Sequence, residues 1–344
     1  MSEGIVMSEG TKPEGSKPRI AYVTGSTGFL GLNIVECLVE QGWQVYALRR
    51  KSSNTRDLDR MAVTQVEGDV TDIESLRRTM PDGLDAVFHV AADTSMWSKK
   101  NERQNEININ GTRNVVEVAL EKKVGRFIHT SSVGAFGTIP DREISENTPS
   151  QALRSPINYY RSKYFAEKEV FAGITRGLDA VILNPAQIVG PYDYNYTPLM
   201  FRTIKSGGML AVPKGGSVLG HVRDYARAHV TAYEKGRTGE RYLLGGVHAS
   251  FREVFATIGK ILNCKTPSRT FPAWLMTLIA IVMDRISQYT NKEPILCTEK
   301  VILMNTDMRI SSKKAEQELG FSTCSLEEMF RDAWQWMQQS GVRS

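Results

Sequence analysis

The sequence predicts a doubly wound α/β protein: a parallel sheet flanked by helices, followed by a smaller, mostly helical C-terminal lobe. Three observations carry this. Short apolar runs alternate with helical stretches through the first half of the chain. The runs are continuously apolar, as strands buried on both faces must be, and this implies parallel pairing with right-handed crossovers. A glycine cluster, Gly25-Ser26-Thr27-Gly28-Phe29-Leu30-Gly31, closes the first run and opens the first helical stretch.

Taken in order, residues 1–18 hold Ser, Glu, Gly, Lys and Pro, with Met-Ser-Glu-Gly occurring at both Met1 and Met7, and read as a disordered leader. They lack the apolar core of an export signal, which argues for a cytoplasmic protein. Strands are expected at Arg19–Thr24, Trp43–Leu48, Val63–Glu67, Asp85–Val90, Arg126–Thr130 and Ala180–Leu183, with a helix over Phe29–Gln41. After Asn184 the pattern loosens into loops rich in Pro, Gly and Tyr, and then into helices. Ser325-Leu326-Glu327-Glu328 forms a capping box, behind which Leu326, Met329, Phe330, Ala333, Trp334 and Met337 share one apolar face that reads as core. The division that follows is a nucleotide-binding domain over 19–190, rejoined by 222–245, and a substrate-binding lobe over 191–221 and 246–335.

With 344 residues, 43 basic and 38 acidic side chains, the chain carries a net charge of +5. The basic residues are scattered without aromatic interleaving, so nucleic acid is not an expected partner. Cys37, Cys264, Cys297 and Cys324 lie far apart with no Cys-x-x-Cys spacing, which points to a reducing compartment and no metal. The longest apolar run, Phe271–Met283, falls short of the ~20 residues of a membrane span. It reads as a core helix or substrate-pocket wall, with an element docking on a membrane surface or on a hydrophobic substrate as the alternative.

Chemistry begins at the glycines. Gly25-x-x-Gly28-x-x-Gly31 sits between a strand and a helix, where backbone amides and the helix dipole favour a pyrophosphate and only glycine lets the backbone come close enough. Further on, Tyr159-Tyr160-Arg161-Ser162-Lys163 places a phenol and an ammonium four residues apart on one helix face. A cation there can lower the phenol pKa and hold a ribose. Only Tyr159, not Tyr160, has that spacing to Lys163.

Several further motifs follow in order: Gly68-Asp69-Val70, Phe88-His89-Val90-Ala91-Ala92, Asn108-Ile109-Asn110-Gly111-Thr112, His129-Thr130-Ser131-Ser132, and Asn184-Pro185. With the glycines and Tyr159/Lys163, this set resembles the extended short-chain dehydrogenase/reductase superfamily, the NAD-dependent epimerase/dehydratase family. Within it the chain is most similar to the dihydroflavonol 4-reductase-like and 3β-hydroxysteroid dehydrogenase-like branches. The resemblance covers roughly residues 19–335 and implies a Rossmann-type fold and hydride exchange with a nicotinamide dinucleotide. It implies Tyr159 as general acid or base, Lys163 as its electrostatic aid and ribose ligand, and Ser132, rather than Ser131, as the group orienting the substrate carbonyl. Asn108 would act indirectly, by organising backbone and water. On the cofactor side it implies Gly25, Thr27, Gly28, Phe29, Leu30 and Gly31 at the phosphates, Asp69 and Val70 at the adenine, Ala91 and Ala92 along the ribose and pyrophosphate, and Pro185 at the nicotinamide.

NAD and NADP are told apart at the end of the second strand, where an acid about 20 residues after the glycines would grip the ribose 2′-hydroxyl. This chain has Arg49-Arg50-Lys51 there. Guanidinium groups suit a 2′-phosphate, so NADP(H) is expected, with NAD(H) and a merely solvated basic turn as alternatives. Sugar-nucleotide epimerases of the superfamily show Arg-Pro where this chain has Asn184-Pro185, and an Arg-Asp pair where Ser217-Val218 stands. Both departures argue against a diphosphate substrate. Phe201, Met209, Leu210, Phe271, Trp274, Leu275, Leu278 and Ile279 are expected to line the cleft for a small hydrophobic ketone or alcohol. Met96 and Trp97 fit either that cleft or the core. His89 and His129 read as satisfied core histidines, and Asp224 in His221-Val222-Arg223-Asp224 as a structural cap. A sugar-nucleotide epimerase or dehydratase and a catalytically silent regulator remain the alternative functions. Relatives often pair through helices beginning near Gln104 and Pro156, so a homodimer is expected from the resemblance.

Overall fold

The structure, a computed structural model, describes residues 17–139, 142–207, 211–267 and 269–342. Residues 1–16 of the expected leader lie outside the described residues.

In the first half of the chain, β1 (Ile20–Thr24), α1 (Phe29–Glu40), β2 (Gln44–Arg49), β3 (Thr64–Glu67), α2 (Ile73–Thr79), β4 (Ala86–His89), α3 (Asn101–Asn105), α4 (Gly111–Glu121) and β5 (Arg126–Thr130) follow one another. Then come β6 (Glu143–Ile144), α5 (Asn158–Thr175), β7 (Ala180–Pro185), β8 (Gln187–Val189), α6 (Tyr196–Lys205), β9 (Gly216–His221), α7 (Val222–Lys235), β10 (Arg241–Leu244) and β11 (Val247–Ser250). The chain ends in α8 (Phe251–Leu262), α9 (Ala273–Thr290), α10 (Thr298–Asn305), β12 (Arg309–Ile310), α11 (Lys313–Leu319) and α12 (Leu326–Ser340).

Seven strands form one sheet in the order β3-β2-β1-β4-β5-β7-β10, every neighbour parallel. Period-two alternation sends β1 side chains to both faces. Ala21 and Val23 join α1 and α7 residues such as Val35 and Tyr225, while Tyr22 joins Leu76 of α2, Val115 of α4 and Val170 of α5. Both faces are therefore covered, which is why the strands read as continuous apolar runs. Each buried Val, Leu or Phe contributes about 1.5–3 kcal/mol. The strand order reverses between β1 and β4, and a crevice opens there at the carboxyl ends of the strands.

The C-terminal part is mostly helical, as expected, and adds a small sheet that the sequence does not announce. Strands β8, β9 and β11 make a mixed sheet, β8 parallel and β11 antiparallel to β9. Each has six residues or fewer, too short for its periodicity to stand out. Against this sheet pack α6, α8 and α12 around Phe201, Phe255 and Phe330. Helix α12 starts at the expected capping box, Ser325 accepting from Glu328 N.

Candidate active site

The turn after β1 is built by close approach. Gly25 has φ +67°, and a Cβ on it would lie 2.6 Å from Ala91 N. One on Gly31 would lie 2.0 Å from Gly25 O. Both positions exclude a side chain, so α1 can begin directly over the end of β1 and beside β4. The Ser26 hydroxyl ties the turn to β2 by donating to Leu48 O at 2.7 Å. No acid stands in the first turn of α1, leaving its amide end open to an anion.

A cavity of about 500 Å³ opens from this turn. Gly25, Thr27, Gly28, Phe29, Leu30 and Gly31 form one wall, and Arg49, Arg50, Asp69 and Val70 another. Ala91, Ala92 and Pro185 line it between these and Ser132, Tyr159 and Lys163. Asp69 Oδ1 accepts from Thr71 N (3.0 Å) and Thr71 Oγ1 (2.9 Å), which fixes its carboxylate at the rim. The room, the glycine cradle and the open helix end together fit a dinucleotide.

Ser132 leaves β5 as the cap of a short helical turn over Val133–Phe136, its Oγ accepting from Gly134 N at 3.0 Å. Ser131 turns the other way and donates to Glu167 Oε1 at 2.6 Å. Tyr159 and Lys163 lie one turn apart on α5. Burial raises the Tyr159 phenol above its ordinary value, and the neighbouring Ser132 hydroxyl opposes that rise. The Lys163 Nζ donates to Thr130 O at 2.8 Å, and burial lowers its pKa to about 8 against the opposing pull of Glu167. Tyr160 is buried against Gly134, away from this set.

Glu167 escaped the sequence reading. It is 2% exposed and accepts on one oxygen from Ser131 and from Asn184 Nδ2 (2.6 Å), with Arg241 3.4 Å from the other. Its position four residues after Lys163 repeats the Tyr159–Lys163 spacing and was the available signal. Asn108 organises backbone as expected, joining Asp93 N (2.7 Å), Asp93 O (3.0 Å) and Ser162 Oγ (2.9 Å) from a π-helical turn over Glu106–Asn110. His89 is satisfied: Thr24 Oγ1 lies 2.8 Å from Nδ1 and Thr112 Oγ1 2.9 Å from Nε2. The Thr24 hydroxyl also accepts from Val90 N and Ala91 N, and so ties the cavity edge to β1. His129 corrects the expectation. Both its nitrogens are buried without a partner: on one side its ring stacks on His89 at 5.4 Å, whose own nitrogens are taken by Thr24 and Thr112, and on the other it faces Ile182 of β7.

The expected apolar cleft lining is also corrected. Phe201 is fully buried in the C-terminal core, stacked on Trp334 at 5.0 Å. Phe271 packs beside Met276 under α9, and Trp274, Leu278 and Ile279 face outward, 70%, 52% and 37% exposed. Met209 and Leu210 lie outside the described residues. The cavity is instead completed by Thr94, Arg103, Ile107, Ala186, Ile188 and Asn195. Trp97 is core, donating from Nε1 to Ser287 Oγ at 3.1 Å. Among the described residues, His221, Asp224 and Cys324 bring ligand-type atoms within 4.8 Å of one another. These atoms already serve the fold. His221 accepts from Arg223 N and meets Asp332 at 3.0 Å, Asp224 pairs with Arg227 at 2.8 Å, and burial pushes the Cys324 thiol up to about 11.

A phosphate cradle and a phenol–ammonium pair on one cavity, at the switch point of a parallel sheet, define a class: a nicotinamide-dinucleotide-dependent oxidoreductase. The chain belongs to the NAD dependent epimerase/dehydratase family, whose model matches residues 21–245. It is similar to a dihydroflavonol 4-reductase-like protein of Synechocystis sp. (34% identity; 93% of this chain, 95% of the relative). It is also similar to sterol demethylase protein B of Methylococcus capsulatus (32%; 93% and 98%). Among solved structures, that of gox2253 superposes with TM-score 0.82 at 32% identity over 94% of this chain and 99% of that one. UDP-glucose 4-epimerase of Thermotoga maritima, at 22% identity and TM-score 0.76 over 93% and 99%, shares the fold.

Proposed function

We propose that the protein is an NADP(H)-dependent reductase or dehydrogenase exchanging hydride with a hydrophobic ketone or its alcohol. The observation that carries this is the meeting of Ser132, Tyr159 and Lys163 on the wall of the glycine-turn cavity. In this reading residues 19–190 with 222–245 hold the dinucleotide, and 191–221 with 246–335 cover the substrate. Gly25, Thr27, Gly28, Phe29, Leu30 and Gly31 hold the pyrophosphate, Asp69 and Val70 the adenine, and Ala91, Ala92 and Pro185 the remainder. The bound nicotinamide supplies the hydride. Ser132 orients the carbonyl oxygen, and Tyr159 hands it a proton, or takes one in reverse. Lys163 exchanges Thr130 O for ribose hydroxyls and, as an ammonium, favours the phenolate.

Preference for NADP(H) rests on Arg49 and Arg50. Arg49 Nη1 is held by Glu67 Oε2 at 2.8 Å while its Nε is buried without a partner, and Arg50 is exposed on the cavity rim. A 2′-phosphate supplies both with an acceptor. A hydrophobic substrate is supported by the names of relatives, dihydroflavonol 4-reductase-like and sterol demethylase among them. The test is oxidation of NADPH and of NADH against steroids, flavonoid-like ketones, β-keto acids and aromatic aldehydes, with sugar nucleotides as the counter-class. Turnover with apolar carbonyls and NADPH is expected. Consumption with sugar nucleotides alone, or equal use of NADH at micromolar concentration, would overturn the substrate or the cofactor assignment respectively.

A further inference from the structure

Helix α9 is apolar on nearly every side, yet it is not buried. It sets only Met276, Ala280 and Ser287 into the interior, packed on Val301 of α10. The other side carries Trp274, Leu278, Ile281, Val282 and Ile286, between 43% and 70% exposed. Their spacing of four, three, one and four residues keeps them on one side of the helix. A helix apolar all round belongs in a core or against lipid, and an exposed patch of this kind marks a surface that something covers.

The charges framing the patch have one sign. Asp284, the acid of α9, is turned inward onto Thr298, accepting from its N at 3.0 Å and its Oγ1 at 2.8 Å. Glu293 is neutralised by Lys100 at 2.6 Å and Lys300 at 3.8 Å. Arg285 and Lys292 are exposed and, among the described residues, have no ion-pair partner. Lys99 adds a third cation at the helix end, donating to Gln288 O at 2.8 Å and Asn291 Oδ1 at 3.2 Å. Trp274 and Tyr289, the latter 91% exposed, stand at the two ends of the helix, the ring types that settle at headgroup level.

We propose that this face docks on an anionic lipid surface, with α9 lying in the plane of the interface. Its apolar side enters the acyl boundary while Lys99 and Lys292 at the helix end, and Arg285 reaching out along its long stem from within that side, meet headgroup phosphates. No helix among the described residues is long and apolar enough to cross a membrane, so α9 lies on the surface and does not span it. Docking also has a geometric consequence. Trp97 and Met96, bonded to Ser287 (3.1 Å) and Cys297 (2.8 Å), end the segment that begins at Ala92 and Thr94 on the cavity wall. The docking helix is thereby tied to the segment that lines the cavity.

The full chain is floated with vesicles of phosphatidylcholine alone and with vesicles containing phosphatidylglycerol. Co-flotation with the anionic vesicles, weakened by salt, is expected. Leu278→Asp combined with Val282→Asp should cut the bound fraction by about tenfold or more, and Arg285→Glu by several-fold. Both substituted leucine and valine side chains are exposed, so the fold persists, and far-UV circular dichroism certifies this independently of turnover. Failure of the proposed activity therefore leaves this test intact. The proposal is overturned if the wild-type chain ignores anionic vesicles or the double variant floats equally well. It is also overturned if the patch instead forms a dimer in gel filtration that the double variant dissolves, which would assign it to a second copy.

Discussion

Tyr159 is a phenol whose burial pushes its pKa up, with a single neighbouring hydroxyl opposing that rise. Such a group is a poor acid–base partner until a cation is brought to it. In the structure the Lys163 ammonium is bonded to Thr130 O, and in the proposed reading the exchange of that contact for ribose hydroxyls would ready the site. Tyr159→Phe should lower kcat by about 10²–10⁴ while leaving dinucleotide binding intact, measured by turnover beside fluorescence titration; a silent regulator would show no change. Lys163 carries its charge below about 8. Reduction rates, as kcat/KM, should accordingly decline as pH rises through that value, because the ammonium that favours the phenolate is lost. Glu167 raises the Lys163 pKa, so Glu167→Gln should move this decline to lower pH. An unmoved profile would leave Glu167 a purely structural acid. For the cofactor, Arg50→Ala should weaken NADPH by about tenfold or more and NADH little, read from the two KM values.

At the scale of elements, the glycine turn is the least tolerant piece. A methyl on Gly31 would meet Gly25 O at 2.0 Å, backbone against backbone, so Gly31→Ala must push α1 off the end of β1. Loss of dinucleotide binding is expected together with about 1–3 kcal/mol of stability, checked by titration and by denaturant unfolding. Helix α2 offers the contrast. Asp72 caps it by accepting from Glu74 N and Ser75 N, and Asp72→Ala should cost about 1 kcal/mol without touching turnover. Strand ends were legible to within a residue or two, because β1, β4 and β5 each carry a central apolar run, at 20–23, 86–88 and 127–128, bounded by polar residues and turns. Strands β8, β9 and β11 were not, since short segments in a mixed sheet share the composition of the loops around them. The Phe271–Met283 run was correctly a helix, but which side it buried could not be read. Apolar residues lie on every face, and only packing against α10 selects Met276 and Ala280.

For the whole molecule, a dinucleotide that binds only the folded chain should stabilise it by about 2.7 kcal/mol at a hundredfold excess over Kd. Thermal melts with NADPH and NADH would show which cofactor produces the larger rise. The sequence by itself determined the doubly wound sheet, the cradle of Gly25, Gly28 and Gly31, and the pairing of Tyr159 with Lys163. Each of these is written in local spacing: period two or continuous burial for strands, three residues for the glycines, four for one face of α5. Only the tertiary structure decided what was long-range. It gathered Asp69, Ala91, Ser132 and Pro185 onto one cavity through the parallel order of β3, β4, β5 and β7, and turned Lys163 toward Thr130 and Ser131 toward Glu167. It also sent Phe201 into the core while leaving α9 outside. Local spacing fixes which side chains share a face, but which face is covered depends on elements far away in the chain.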